Sequence, residues 1–178
     1  MTWRDTERPW VNPSPNLRSA EAVLAYPGTC LVEATSASEG RGTEAPFLLV
    51  GAPWVKPEAV VREAQTPGFA LEPAEFTPKA SAAAPKPKLL DVACRGVRVR
   101  VPDPVSAQPF ALGLRLLAAL RRHAEFAWVR EGAWLDTLSG TRSLRAAFER
   151  GDSVEAILAT TAAGVADWRR DRRPHLLY

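Results

Sequence analysis

Val97-Arg98-Val99-Arg100-Val101 alternates valine and arginine without a break. Successive side chains of a strand point to opposite faces, so this period of two puts the valines on one face and the arginines on the other. It predicts a half-buried β-strand with a wet outer face. Beyond it, toward the C-terminus, the period changes. From Pro109 to His123, Phe110, Leu114, Leu117 and Leu120 recur at helical spacing and predict an amphipathic helix with a buried stripe. Thr141 to Glu149 predicts a second helix, and Ser153 to roughly Arg170 a third. In the third, Ser153 serves as cap, Glu155 sits in the first turn, and Val154, Ile157, Leu158, Val165 and Trp168 form a core-facing side.

Toward the N-terminus, Pro57 to Ala64 predicts a short helix opened by its proline. Thr29 to Thr35 and Phe47 to Val50 read as strands. Ser19 to Ala25 reads as a helix capped by Ser19 and stopped by Pro27-Gly28. Residues 1–17 form an extended leading segment, because Pro13 and Pro15 push the residues before them out of helical geometry. Residues 77–88 hold alanine, proline and lysine without apolar periodicity and predict a mobile loop. The sum is an α+β fold: a small mixed or antiparallel sheet packed against C-terminal helices, in one domain over residues 18–178.

The composition narrows the function. A net charge of +3 from 23 basic and 20 acidic residues is too slight for a nucleic-acid binder. The densest basic cluster, Arg169-Arg170-Asp171-Arg172-Arg173, falls at a helix C-terminus, where the macrodipole favours cations. No apolar run approaches the roughly 20 residues of a membrane span. Met1 is followed by Thr2-Trp3-Arg4-Asp5, which is not the charged-then-apolar pattern of a signal peptide. Cys30 and Cys94 match no metal spacing; buried free thiols are the default, with one disulfide open if their strands are neighbours. His123 and His175 have no partner at metal-ligand spacing, the first reading as a dipole-favoured surface residue and the second as terminal packing. No glycine-rich phosphate loop follows a strand, so neither a metal nor a nucleotide cofactor is expected.

Chemistry gathers in Ser38-Glu39-Gly40-Arg41-Gly42-Thr43, followed by Pro46-Phe47 and Gly51-Ala52-Pro53-Trp54. Gly40 and Gly42 free the backbone to turn sharply and present the Arg41 fork, whose planar donors suit a carboxylate or phosphate.

These runs fall in a telling order. With Pro13-Ser14-Pro15-Asn16, Tyr26-Pro27-Gly28-Thr29-Cys30-Leu31-Val32-Glu33, Cys94-Arg95-Gly96-Val97, Leu138-Ser139-Gly140-Thr141, Leu144-Arg145, Gly151 and Leu176-Leu177-Tyr178, the chain resembles the C-terminal half of the NamZ-like exo-β-N-acetylmuramidases. Those are peptidoglycan glycosidases, long catalogued as a domain of unknown function. The resemblance covers about Trp10 to Tyr178. It departs from the family at Glu33-Ala34-Thr35-Ser36, where relatives usually read Glu-Gly-Thr-Asn, and at 79–88, where relatives place a Ser-Lys-His type segment.

The resemblance implies removal of N-acetylmuramic acid from the non-reducing ends of peptidoglycan fragments, muropeptide or disaccharide. It implies Glu33 and Glu39 as catalytic carboxylates and Arg41 as a clamp on the lactyl carboxylate of the sugar. Ser38, Thr43 and Asn16 would be its hydroxyl and amide contacts. Family members place a Rossmann-like N-terminal domain ahead of this half and are often exported to the cell envelope. The expectation is therefore one wall of a cleft, with little hydrolysis by these residues alone, a separate Rossmann-like domain as partner, and exposed apolar groups at Trp3, Trp10 and Trp54. The alternative is a non-catalytic glycan-binding or degenerate module.

Overall fold

The computed structural model describes residues 6 and 8–176. Within them the order of regular elements is α1 (Ala20–Thr29), β1 (Leu49–Ala52), α2 (Pro57–Glu63), β2 (Ala70–Phe76), β3 (Cys94–Arg100), α3 (Pro109–Leu120), α4 (Ala133–Ser139), α5 (Ser143–Arg150) and α6 (Val154–Asp171). The strands form an antiparallel sheet in the order β1-β3-β2, with Val50 opposite Val97 and Leu71 opposite Val99.

The alternating strand β3 is thus the central one. Val97 and Val99 are buried on its inner face, while Arg98 and Arg100 on the outer face pair with Glu44 and Glu72. β2 was not legible in the sequence because Pro73 lies in its middle. Proline cannot donate to a ladder, and it is tolerated here because β2 is an edge strand.

Two apolar layers meet at α3. Leu112, Leu116 and Leu120 face the sheet with Val50, Val97, Val99 and Val60. Leu114 and Leu117 face Leu31, Leu135, Phe148 and Ile157. The expected single stripe is therefore wrong in one respect: α3 is buried on both sides because it separates the two layers.

α1 crosses α3 at a pair of glycines. A Cβ on Gly28 would fall 1.8 Å from the Pro109 carbonyl oxygen, and one on Gly113 would fall 2.5 Å from the Gly28 oxygen. This close approach explains a correction. α1 does not stop at Pro27-Gly28 but runs through to Thr29, with Pro27 inside it. An interior proline costs about 3 kcal/mol; burial of Ala25, Gly28 and Thr29 against α3 outweighs it.

The strand expected over Thr29 to Thr35 is also absent. Cys30–Ala34 is a 3-10 turn, closed by the Thr35 hydroxyl donating to the Val32 oxygen at 2.8 Å. Three residues per turn eclipse positions i and i+3. Leu31 and Ala34 enter the helical layer, against which Cys30 also packs, Val32 enters the sheet layer, and Glu33 is left on the remaining face. A strand has two faces and would have buried Glu33 or exposed one layer's contact. The strand expected over Phe47 to Val50 begins two residues later, because Phe47 adopts φ 65° and donates its N–H to the Glu39 oxygen at 2.7 Å.

Two surface expectations change as well. α6 is capped as expected, Ser153 accepting from the Ala156 N–H, and Val154 and Ile157 are core. Val165 and Trp168, however, are 46% and 58% exposed, so the distal half of α6 leaves the core. His123 is partly buried: its Nε2 accepts from the Lys56 N–H at 3.1 Å, Nδ1 donates to the Leu120 oxygen at 3.2 Å, and its ring lies 5.4 Å from that of Trp54. Trp54 is thereby partly covered, and Trp10 is partly covered with its Nε1 donating to the Leu17 oxygen. Trp3, Leu177 and Tyr178 lie outside the described residues.

Candidate functional site

The 3-10 turn after α1 delivers Glu33 to the rim of a cleft of about 370 Å³. The following turn supplies Glu39 and Arg41, the leading segment supplies Asn16, and residues 83–88 close the far side. Gly40 and Gly42 both sit at φ 82°, the left-handed region that a side chain resists. Their reversal lets two acidic groups and a guanidinium converge from a short stretch. The same turn anchors the Ala/Pro/Lys segment, since the Lys79 N–H donates to the Gly42 oxygen at 2.8 Å and Asn16 Nδ2 donates to the Ala83 oxygen at 2.9 Å.

Arg41 grips Glu33 end-on. Nη1 donates to Oε2 at 3.0 Å and Nη2 to Oε1 at 3.1 Å, while Nε lies 3.9 Å from Glu39 Oε1. One face of the guanidinium rests over the Phe47 ring, 5.1 Å from its centroid, and Tyr26 meets that ring edge-on at 4.8 Å.

Lys88 belongs to the segment 77–88, which the sequence predicts as a mobile loop. Its ammonium donates to the Val32 and Thr35 oxygens, each at 3.1 Å, and lies 2.9 Å from Glu39 Oε2. It fastens the end of the 3-10 turn to the buried Glu39. A lysine among alanines and prolines gives no periodic signal, so only the packing of residues 83–88 onto the turn discloses it.

Burial pushes the Glu33 carboxyl above its usual range, Arg41 and Lys88 pulling it back and Glu39 adding to the rise. The direction holds despite the bidentate partner because both groups have given up water for one another. On the same turn, burial and then Glu33 push the Cys30 thiol up to about 11, and burial does the same to Cys94. Both cysteines are free thiols rather than a disulfide.

Three buried polar atoms in this cleft make no hydrogen bond: Asn16 Oδ1, Glu39 Oε2 and Arg41 Nε. The Glu39 oxygen is close enough to Lys88 for an ion pair but off the direction of a hydrogen bond. Each such atom costs about 1–3 kcal/mol.

Ser38 and Thr43 stand apart from the cleft lining. The Ser38 hydroxyl accepts from the Gly40 N–H, and the Thr43 hydroxyl donates to the Gly40 oxygen at 2.6 Å and accepts from the Ala45 N–H. Both build the turn.

Two further clefts of about 370 Å³ lie beside α2, α3 and the start of α6. Their arginines are engaged, Arg115 with Glu155, Arg122 with Glu63, and Arg121 with the Phe148 oxygen, although Arg115 Nε makes no hydrogen bond. Among the described residues no cluster of histidine, cysteine or carboxylates could hold a metal ion, and no helix is long and apolar enough to cross a membrane.

Residues 24–178 match the family described as exo-beta-N-acetylmuramidase NamZ, C-terminal. The peptidoglycan beta-N-acetylmuramidase NamZ of Bacillus subtilis (strain 168) is 33% identical over 183 residues, an alignment that takes in 100% of this chain and 42% of that protein. A crystal structure of a DUF1343 family protein from Bacteroides fragilis NCTC 9343 superposes with a TM-score of 0.82 at 21% identity, covering 100% of this chain and 47% of that one. A second DUF1343 protein from the same strain gives a TM-score of 0.68 at 26% identity, over 94% of this chain and 43% of its own. The chain spans less than half the length of each of these relatives.

Proposed function

Because the chain belongs to the family of C-terminal NamZ exo-beta-N-acetylmuramidase domains, we propose that it forms one wall of a glycoside hydrolase site that releases N-acetylmuramic acid from peptidoglycan fragments. One observation carries this reading: Asn16, Glu33, Glu39 and Arg41, distant in type and drawn from three segments, line one cleft whose buried polar atoms are left unmatched. Glycosidic cleavage uses a group that protonates the leaving oxygen and a carboxylate that activates water or attacks. Glu33, whose burial favours its protonated form, suits the first role. Arg41 supplies the charge that selects N-acetylmuramic acid, whose lactyl carboxylate N-acetylglucosamine lacks. Asn16 lines the same cleft, with its Oδ1 unmatched. The rest of the site comes from a Rossmann-like N-terminal half of the kind the family carries.

A second reading, a glycan-binding module without turnover, draws on a specific feature. Both carboxylates are ion-paired within the chain, Glu33 to Arg41 and Glu39 to Lys88. The assay that separates the two uses a chromogenic N-acetylmuramide with the 178-residue chain, a NamZ-type N-terminal half, and the two combined. Hydrolysis is expected from the combination and abolished by Glu33→Gln. Binding of the sugar with no release by the combination selects the module. Robust turnover by the chain on its own would place the whole site within it and overturn the division into two walls.

A further inference from the structure

Arg41 is already occupied, and the way it is occupied constrains how a ligand carboxylate can reach it. A guanidinium offers a carboxylate two bidentate edges, the terminal one made by Nη1 and Nη2 and the lateral one that includes Nε. Arg41 Nε is buried, so the lateral edge is closed to a ligand. The terminal edge is held by both oxygens of Glu33. Glu39, by contrast, does not depend on Arg41: Lys88 Nζ lies at 2.9 Å and Arg41 Nε at 3.9 Å.

Resting on the glycan reading above, we infer that Arg41 is an exchange point at which the carboxylate of an N-acetylmuramic acid ligand displaces Glu33 from the terminal edge and releases it into the cleft. The exchange makes and breaks no covalent bond. One carboxylate replaces another on the guanidinium, and the freed Glu33 loses its cation while keeping its surroundings. Those are Glu39 from the turn that carries Arg41, Cys30 on its own 3-10 turn, Tyr26 from α1 and Lys88 from the Ala/Pro/Lys segment. Of these only Lys88 is cationic, and it already donates to the Val32 and Thr35 oxygens and pairs with Glu39. Removing Arg41 from Glu33 therefore takes away the larger of its two cationic influences and leaves burial and Glu39, which favour the protonated acid, opposed by Lys88. The proton comes from solvent, so binding of a carboxylate-bearing sugar takes up a proton and arms Glu33 as the acid. A sugar without that carboxylate leaves the Arg41–Glu33 pair closed.

The test is calorimetric titration of the 178-residue chain with free N-acetylmuramic acid and, separately, N-acetylglucosamine, in two buffers of different ionisation enthalpy between pH 5 and 7. Expected is a net uptake of up to one proton per bound N-acetylmuramic acid, largest between the Glu33 pKa values of the free and liganded chain and falling away on either side, with none for N-acetylglucosamine. Glu33→Gln should abolish the uptake and bind N-acetylmuramic acid at least as tightly, because a competitor for Arg41 has been weakened. The proton count is made on the unsubstituted chain and does not depend on the variant folding. N-acetylmuramic acid binding without proton uptake, or weakened tenfold or more by Glu33→Gln, overturns the exchange and leaves the glycan reading standing. Failure of both sugars to bind the chain combined with a NamZ-type N-terminal half overturns the glycan reading and the exchange with it.

Discussion

Arg41 and Glu33 form a pair in which neither partner can be changed without exposing the other. Replacing Arg41 with Lys keeps the charge and loses the fork. In an enzyme completed by an N-terminal half, Arg41→Lys should lower kcat/KM for an N-acetylmuramide by about tenfold or more, in line with about 1.5–3 kcal/mol for a charge-assisted contact. The same change should leave an uncharged analogue within about threefold; equal losses on both substrates would remove Arg41 from selection. Glu33 also imposes a pH dependence on stability. Its folded carboxyl binds a proton more readily than the unfolded one, so its contribution is most favourable below the ordinary carboxylate range and declines as the pH rises through the raised folded value. Melting temperatures of the chain and of Glu33→Gln across pH 4 to 8 should therefore show the chain losing ground to the variant as the pH rises, and the reverse slope would contradict the burial argument. Lys88 is the other pivot. Lys88→Met removes two donations to the 3-10 turn and leaves Glu39 buried beside no cation but the more distant Arg41 Nε. Denaturant unfolding should register a loss of about 3 kcal/mol, the lower end for breaking a buried pair because Lys88 is partly exposed.

The crossing of α1 on α3 holds Glu33 in place, since the 3-10 turn that carries it continues directly from α1. Gly28→Ala would put a methyl 1.8 Å from the Pro109 oxygen, which is backbone and cannot rotate away. The helices must part, at a cost of about 3 kcal/mol or more in thermal or denaturant unfolding. A variant as stable as the parent would mean that α1 and α3 are not packed at this distance. α6 offers the contrast. Ile157→Ala, in the helical layer, should cost about 2–4 kcal/mol. Trp168→Ala, exposed and stacked under Arg172 at 4.5 Å, should cost about 1 kcal/mol or less in the same measurement. Periodicity made α6 legible as a helix over its whole length, but it did not reveal that only the first half meets a partner layer.

For the molecule as a whole, the α+β class and the order of most elements could be read from local pattern. Val97 to Val101 could be nothing but a strand half in water, the leucines of α3 nothing but helix, and Ser153 a cap, because each signal depends only on neighbours in the chain. The turn at Gly40 and Gly42, and the acidic and basic groups around it, were legible for the same reason, and Asn16, Glu33, Glu39 and Arg41 do share one cleft. What failed needed contacts distant in sequence. Pro27 signals the end of a helix until Gly113 makes burial of Gly28 worth more than the lost hydrogen bond. Thr29 to Thr35 carries strand-forming residues, but two apolar layers meet there and demand three faces. Pro73 hides an edge strand whose exposed side has no ladder to break. Lys88 lies 49 residues from Glu39 in the chain and reaches it only because the Ala/Pro/Lys segment folds back over the turn. Local pattern determined which segments are regular and which side chains carry charge; the packing of α1, α3 and residues 83–88 decided that Glu33 sits in Arg41's fork and Glu39 under Lys88, because burial and ion pairing are set by what the whole chain brings together.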